Sequence, residues 1–266
     1  MINLLSSELY KLRKSKSFLV SGILSAVFVL FLYVFYALAV GGMLNMPGAE
    51  GEAILESVPN QGILEILRQT YANSNAIIFV TIFVCLFVLG DYSGGAIKNL
   101  VGKGARREEI FLAKFLVTEF GAVVLYLVAA LTVLLGGIAF QGTEQLTGAF
   151  FESFLSYLSM QILYLTAYTA IITTVCEMTR NTAGILISIL GIMLFSTILF
   201  EGIDLALSAL GAHFGLSKFW ITTLIAACPV TDIPARYITG SGVTAGVWLI
   251  AALTAGMLHF SRKDVG

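Results

Sequence analysis

Long apolar runs separated by short polar stretches set the pattern of this chain. Almost uncharged runs cover 17–40, 74–90, 115–140, 154–176, 183–200 and 243–261. A helix crosses a bilayer with about 20 mostly apolar residues, so each run reads as a span. Ahead of the first, Ile2, Leu5, Leu9 and Leu12 share one helical face, with Glu8, Lys11 and Lys14 on other sides. That pattern predicts an amphipathic helix on the membrane surface. Two further runs, 205–217 and 219–231, are too short to cross; lengths of about 10–14 residues suit re-entrant or interfacial segments. Pro229 and Pro234 break any longer helix there. The expected fold is an all-α polytopic membrane protein, a single transmembrane domain over 1–266. It has six transmembrane helices, the N-terminal interface helix, and re-entrant or interfacial helices between spans five and six.

Charge orients this pattern. The stretch 91–114 carries Lys98, Lys103, Arg106, Arg107 and Lys114. A loop this basic between two spans stays in the cytoplasm. Within it, Ser93-Gly94-Gly95 makes a turn, 96–101 forms a short helix, and Gly102 to Gly104 breaks it. A short helix held on the cytoplasmic face suits docking of a soluble partner. The loop 41–73, with Glu50, Glu52, Glu56 and Glu65 against Arg68, is expected outside. Six spans put both termini in the cytoplasm and leave only Arg68, Lys218 and Arg236 of the 15 Lys and Arg outside. A seventh span over 219–231 would move Arg262 and Lys263 outside and gain nothing. Ala37-Leu38-Ala39 looks like a signal cleavage site, but the run 17–39 is far longer than the roughly 7–15 residues of a signal core.

Composition narrows the chemistry. The chain of 266 residues is 58% hydrophobic and 12% charged, with mean hydropathy +0.93, whereas soluble domains carry about 25% charged residues. Cys85, Cys176 and Cys228 show no CxxC spacing and read as small core residues; His213 and His259 lie far apart, so no metal site is assigned. Gly102-Lys103 only superficially matches the end of a P-loop, since Gly104 follows and Ile97 stands where the first glycine belongs. No histidine and serine are placed to meet at membrane depth as a protease would require. A proton- or sodium-coupled carrier would hold mid-membrane carboxylates. Glu119, one turn inside span three, is expected to pair with a cation of the central loop instead. Energy for transport is therefore expected from outside this chain.

Three features carry a resemblance: Glu8-Leu9-Tyr10-Lys11-Leu12-Arg13-Lys14 before span one, the loop Gly94-Gly95-Ala96-Ile97-Lys98-Asn99-Leu100 with Gly104-Ala105-Arg106-Arg107 and Lys114, and the broken apolar stretch between spans five and six. The chain resembles the ABC-2 type permeases, especially the small six-span bacterial subset that includes bacitracin-resistance, lantibiotic-immunity and sodium-efflux permeases. The resemblance implies a coupling helix of Ala96, Ile97, Lys98, Asn99, Leu100 and Val101, flanked by Arg106 and Arg107, that docks on a separate ABC ATPase. It further implies two ATPase copies carrying ATP and Mg, and a second permease copy or a homologous permease across the pathway. The lipid bilayer is the remaining partner; nucleic acid is not one. Asn75, Phe79 and Phe83 on span two and Ser188, Phe195 and Leu199 on span five are the candidate pathway lining. This apolar lining suits export of an amphipathic cargo, such as a peptide antibiotic or lipid-like molecule. The alternative is a non-transporting sensor or anchoring subunit for a soluble partner.

Overall fold

The computed structural model describes residues 2–44, 62–72, 75–93, 106–179, 191–192, 195–211 and 215–262, with the side chains at 36–44, 75, 93, 197 and 262 excepted. Every element among them is helical: α1 (Ile2–Lys14), α2 (Lys16–Leu44), α3 (Ile63–Ala72), α4 (Asn75–Ser93), α5 (Arg107–Gln141), α6 (Gly148–Thr179), α7 (Ser196–Ala209), a 3-10 turn (Ser217–Phe219), α8 (Ile221–Ala227) and α9 (Ala235–Arg262). Four helices are long and apolar enough to cross a membrane: Lys16–Phe35, Arg107–Gln141, Gly148–Thr179 and Ala235–Ser261. α3 and α4 make a fifth if taken as one span bent by 43°. Of the expected span 183–200, only 191–192 and 195–200 fall within the described residues.

Ser15 separates α1 from α2. Its hydroxyl accepts the Phe18 amide at 3.3 Å, capping α2, and α1 ends on Lys11, Arg13 and Lys14, cations that complement the carbonyl end of a helix. In the bundle α6 lies innermost, with 67% of its apolar window buried against 22% for α2 and for α9. Polar side chains on α6 tie it to its neighbours. Tyr168 and Thr81 of α4 share a hydroxyl–hydroxyl bond of 2.7 Å, Tyr164 donates to Ser241 of α9 at 2.7 Å, and Gln161 donates to the Ile225 carbonyl at 3.0 Å. Lipid supplies no hydrophobic drive between helices, so such bonds and close small-residue contacts hold a bundle together.

Glycines supply that close contact. Tyr33 of α2 lies against Gly136 of α5, where an added Cβ would sit 2.7 Å from the ring, and its hydroxyl donates to the Val133 carbonyl at 2.6 Å. Of the small-residue stripe in α9, Gly256 abuts Phe111 and Thr174, whereas nothing lies within 4 Å of a Cβ at Gly246.

The stretch expected as a polar external loop, 41–73, holds a packed helix instead. α3 buries Ile63, Ile66, Leu67, Thr70 and Tyr71, and Tyr71 donates to the Tyr126 carbonyl at 2.8 Å. Its Glu65 and Arg68, which read as loop charges, pair at 2.6 Å and so leave one face apolar. Within the broken region, α8 is only seven residues long and buries Ile221, Thr222, Leu224 and Ile225. Asp204 accepts the Leu216 and Ser217 amides at 2.5 and 2.9 Å, holding the turn that precedes α8. α9 begins directly after Pro234.

The two glycines give a paired test. Gly136→Ala should lower the thermal unfolding midpoint of the purified chain, since overpacking costs about 1–3 kcal/mol. Gly246→Ala should leave the midpoint unchanged or raise it, because Ala gains up to about 1 kcal/mol of helix propensity over Gly. Equal effects at the two positions would contradict the described α2–α5 contact.

Candidate functional site

Five charged side chains from four helices converge at one end of the bundle. Glu8 and Lys11 come from α1, Asp91 from the end of α4, Lys114 from the second turn of α5, and Glu177 from the end of α6. Lys11 Nζ lies 2.6 Å from Glu8 Oε1 and 3.2 Å from Asp91 Oδ1. Lys114 Nζ lies 3.4 Å from Asp91 Oδ2 and 3.0 Å from Glu177 Oε1. It also donates to the Val88 carbonyl at 3.4 Å and sits 4.9 Å from the Tyr92 ring centroid. The Lys114 side chain is 2% exposed and that of Glu177 1%. Burial pulls the Lys11 ammonium down, but the Glu8 hydrogen bond and the Asp91 charge outweigh it and hold Lys11 above its ordinary value.

The energetics follow from the enclosure. Desolvating a charge costs several kcal/mol, and only close partners offset it. Asp91 bridges both lysines with its two oxygens, so one carboxylate joins α1 to α5 while Glu177 extends the chain to α6. Arg107, at the start of α5, donates to the Ser261 carbonyl of α9 at 3.2 Å. The apolar shell agrees: Phe111 and Phe260 pack with centroids 6.2 Å apart, and Leu4 of α1 joins them. The end of α4 at Ser93 and the start of α5 at Arg107 therefore both lie beside this network.

The sequence-derived candidates fall as follows. Ala96, Ile97, Lys98, Asn99, Leu100 and Val101 lie outside the described residues, as does Ser188. Arg106 is exposed at the start of α5, beside Arg107. In the interface helix, Leu12 is buried and Leu5 packs on the core, while Ile2 is 83% and Leu9 44% exposed. Asn75 opens α4. Phe79 packs on Phe28 with centroids 5.8 Å apart. Phe83 is fully buried between Phe18 and Phe87 and fills the space over Gly121, while Phe195 and Leu199 are exposed.

Glu119 corrects an expectation. Among the described residues its oxygens accept from the hydroxyls of Thr166, at 2.8 Å, and Thr169, not from a loop cation. Five residues separate it from Lys114, roughly 1.4 turns, which directs the two side chains to different faces of α5. Glu8 was read on the polar side of α1 and is 4% exposed. The available signal was its i,i+3 spacing from Lys11. The structure also brings Cys85 and Cys176 together, with sulfurs 3.4 Å apart, a proximity that sequence spacing does not reveal.

Lys114 should dominate this site. Lys114→Met takes the shared cation from Glu177, 1% exposed, and from Asp91, 13% exposed, which costs about 3–5 kcal/mol. Lys11 is 31% exposed, so water reaches the space it vacates and screens the Glu8 charge left behind, which lowers the cost of removing it. Thermal unfolding should show a larger loss for Lys114→Met than for Lys11→Met; equal losses would contradict the network as drawn.

The geometry is that of a helical bundle with several helices long and apolar enough to cross a membrane, knit at one end by a charge network. Comparison with curated proteins returns no match. The model of the ABC-2 family transporter protein matches residues 4–196, which span α1 to the first residue of α7 and include every member of the charge network. On that match the chain belongs to the ABC-2 family of transporter membrane proteins.

Proposed function

We propose that this chain is the permease subunit of an ATP-driven exporter. A permease of this family works with an ABC ATPase, and the finer reading concerns where that ATPase docks and what its motion drives. The observation that carries it is the charge network. It holds α1, α4, α5 and α6 together at the end from which 94–105 emerges. A push on a helix at 96–101 would reach α4 through Asp91 and α5 through Lys114, then pass to α6 through Glu177. This end is the cytoplasmic side, with both termini, on the positive-inside argument. The complete bundle has six spans, with 183–200 as the fifth.

ATP and Mg reside on the partner ATPase, in two copies, facing two permease subunits of the same or homologous sequence. ATP binding closes the ATPases, and the permeases switch from inward- or membrane-facing to outward-facing. The cargo is amphipathic, a peptide antibiotic or lipid-like molecule. The mostly apolar faces of α4 and of 195–200 support that class over a hydrated ion.

Ile97, Leu100 and Val101 supply the docking contact and the neighbouring cations orient it. Burying an aliphatic side chain stabilises contact by about 1.5–3 kcal/mol, while rim charges chiefly tune association rate and salt dependence. The double variant Ile97→Asp, Leu100→Asp should lose co-purification of the ATPase while the bundle stays folded, and Lys98→Ala should retain it. Normal ATPase binding by the double Asp variant would end this reading.

A further inference from the structure

α1 has two unlike faces, and the bundle covers only one. Leu5, Glu8 and Leu12 turn inward, and Lys11 reaches Glu8 and Asp91. The flank next to that buried side presents Ile2 at 83% exposure and Leu9, with Tyr10 at 60% further round, while Asn3, Ser6 and Ser7 stand exposed on the far side. The cations divide in the same way. Arg13, Lys14 and Lys16 are all exposed, and among the described residues none makes an ion pair. Lys14 lies 5.0 Å from the Tyr10 ring centroid. These three cations cluster at the elbow where Ser15 turns α1 into α2.

The lipid-facing side of α2 begins within a turn of that elbow. Leu19, Val20, Ile23, Leu24 and Val27 are each about half exposed or more. In a chain that spans a bilayer, this side meets acyl chains. The elbow then sits at headgroup depth, with its unpaired cations in the plane of the phosphates. We infer that the outward face of α1 and the elbow cations Arg13, Lys14 and Lys16 form a docking surface for anionic phospholipid. Ile2, Leu9 and Tyr10 enter the acyl boundary, and the cations bind headgroup phosphates.

The charge pattern selects a phospholipid over a protein partner. An apolar flank of Ile2 and Leu9, set between the protein-facing side and an exposed uncharged polar side of Asn3, Ser6 and Ser7 and basic only at the membrane entry point, matches a helix lying at the boundary of a leaflet, acyl chains below and anionic headgroups around it. The consequence concerns the charge network. Anionic lipid holds α1 against the bundle from outside while Lys11 holds it from inside, so the lipid stabilises the same contact that secures Asp91. This needs only that the chain spans a bilayer and stands independently of whether the ATPase docks at 96–101.

The test uses the full chain, purified without an ATPase, in nanodiscs of phosphatidylcholine alone or with one-third phosphatidylglycerol. Phosphatidylglycerol should raise the unfolding temperature, and phosphatidylglycerol should remain bound in native mass spectrometry after delipidation. The triple variant Arg13→Gln, Lys14→Gln, Lys16→Gln should unfold as the wild type does in phosphatidylcholine. It should lose the phosphatidylglycerol shift and retain the lipid at least tenfold less well. Inorganic phosphate added to phosphatidylcholine discs should not reproduce the shift. The inference is overturned if the two lipids stabilise equally, if the triple variant keeps the shift, or if free phosphate produces it. A separate co-purification reads the ATPase: a triple variant that retains phosphatidylglycerol but no longer brings down the ATPase equally overturns the inference, because the surface would then belong to the protein partner.

Discussion

The cost of burying one ammonium group organises this end of the protein. Lys114 is 2% exposed, in a helix whose next turns are apolar, so its charge must be met by the bundle itself. Asp91 and Glu177 meet it, and they come from two different helices. Their helices are thereby held at fixed positions relative to α5. Asp91 has a second oxygen, and Lys11 uses it to bring α1 into the same assembly. A single apolar replacement at position 114 would leave carboxylates buried, which is why the network behaves as one unit rather than as separate pairs.

The rest of the bundle achieves the same end by different means. Away from the charged end, association rests on close approach and on single hydrogen bonds between helices. Gly136 admits Tyr33, Gly121 admits Phe83, and Gly256 admits Phe111. Thr174 of α6 donates to the Ala252 carbonyl of α9 at 2.9 Å, and Trp248 of α9 donates to the Phe219 carbonyl at 2.7 Å. Such bonds are individually weak, averaging about 0.6 kcal/mol in a membrane. Motion in a transport cycle is therefore easier there than at the charge network. On the proposed function, an end tied by charge and a bundle held beyond it by single weak bonds suit an ATP-driven switch.

Hydropathy alone placed α2, α5, α6 and α9, because a bilayer demands long apolar helices and the chain supplies them. It misread α3, whose Glu65 and Arg68 look like loop charges in sequence. They pair with each other in space and free the other face for burial. The network is half visible in the sequence, where Asp91, Lys114 and Glu177 stand at the ends of apolar runs, yet only the fold shows that those ends converge. Glu119 was misassigned because proximity in sequence to a cation says nothing about the face on which a side chain stands. The amphipathic reading of α1 captured its one apolar face but not how that face is divided, since Leu5 and Leu12 meet protein while Ile2 and Leu9 do not. The sequence signals at 96–101 and the family match agree on a transporter membrane protein.

The central claim is that α1, α4, α5 and α6 are locked together through Lys114. Hydrogen exchange of the full chain in nanodiscs, compared between wild type and Lys114→Met, tests it most directly. The account predicts that exchange rises together at Glu8 to Leu12, at Val88 to Tyr92 and at Thr174 to Thr179, three segments distant in sequence. A rise confined to the turn around position 114 would contradict it.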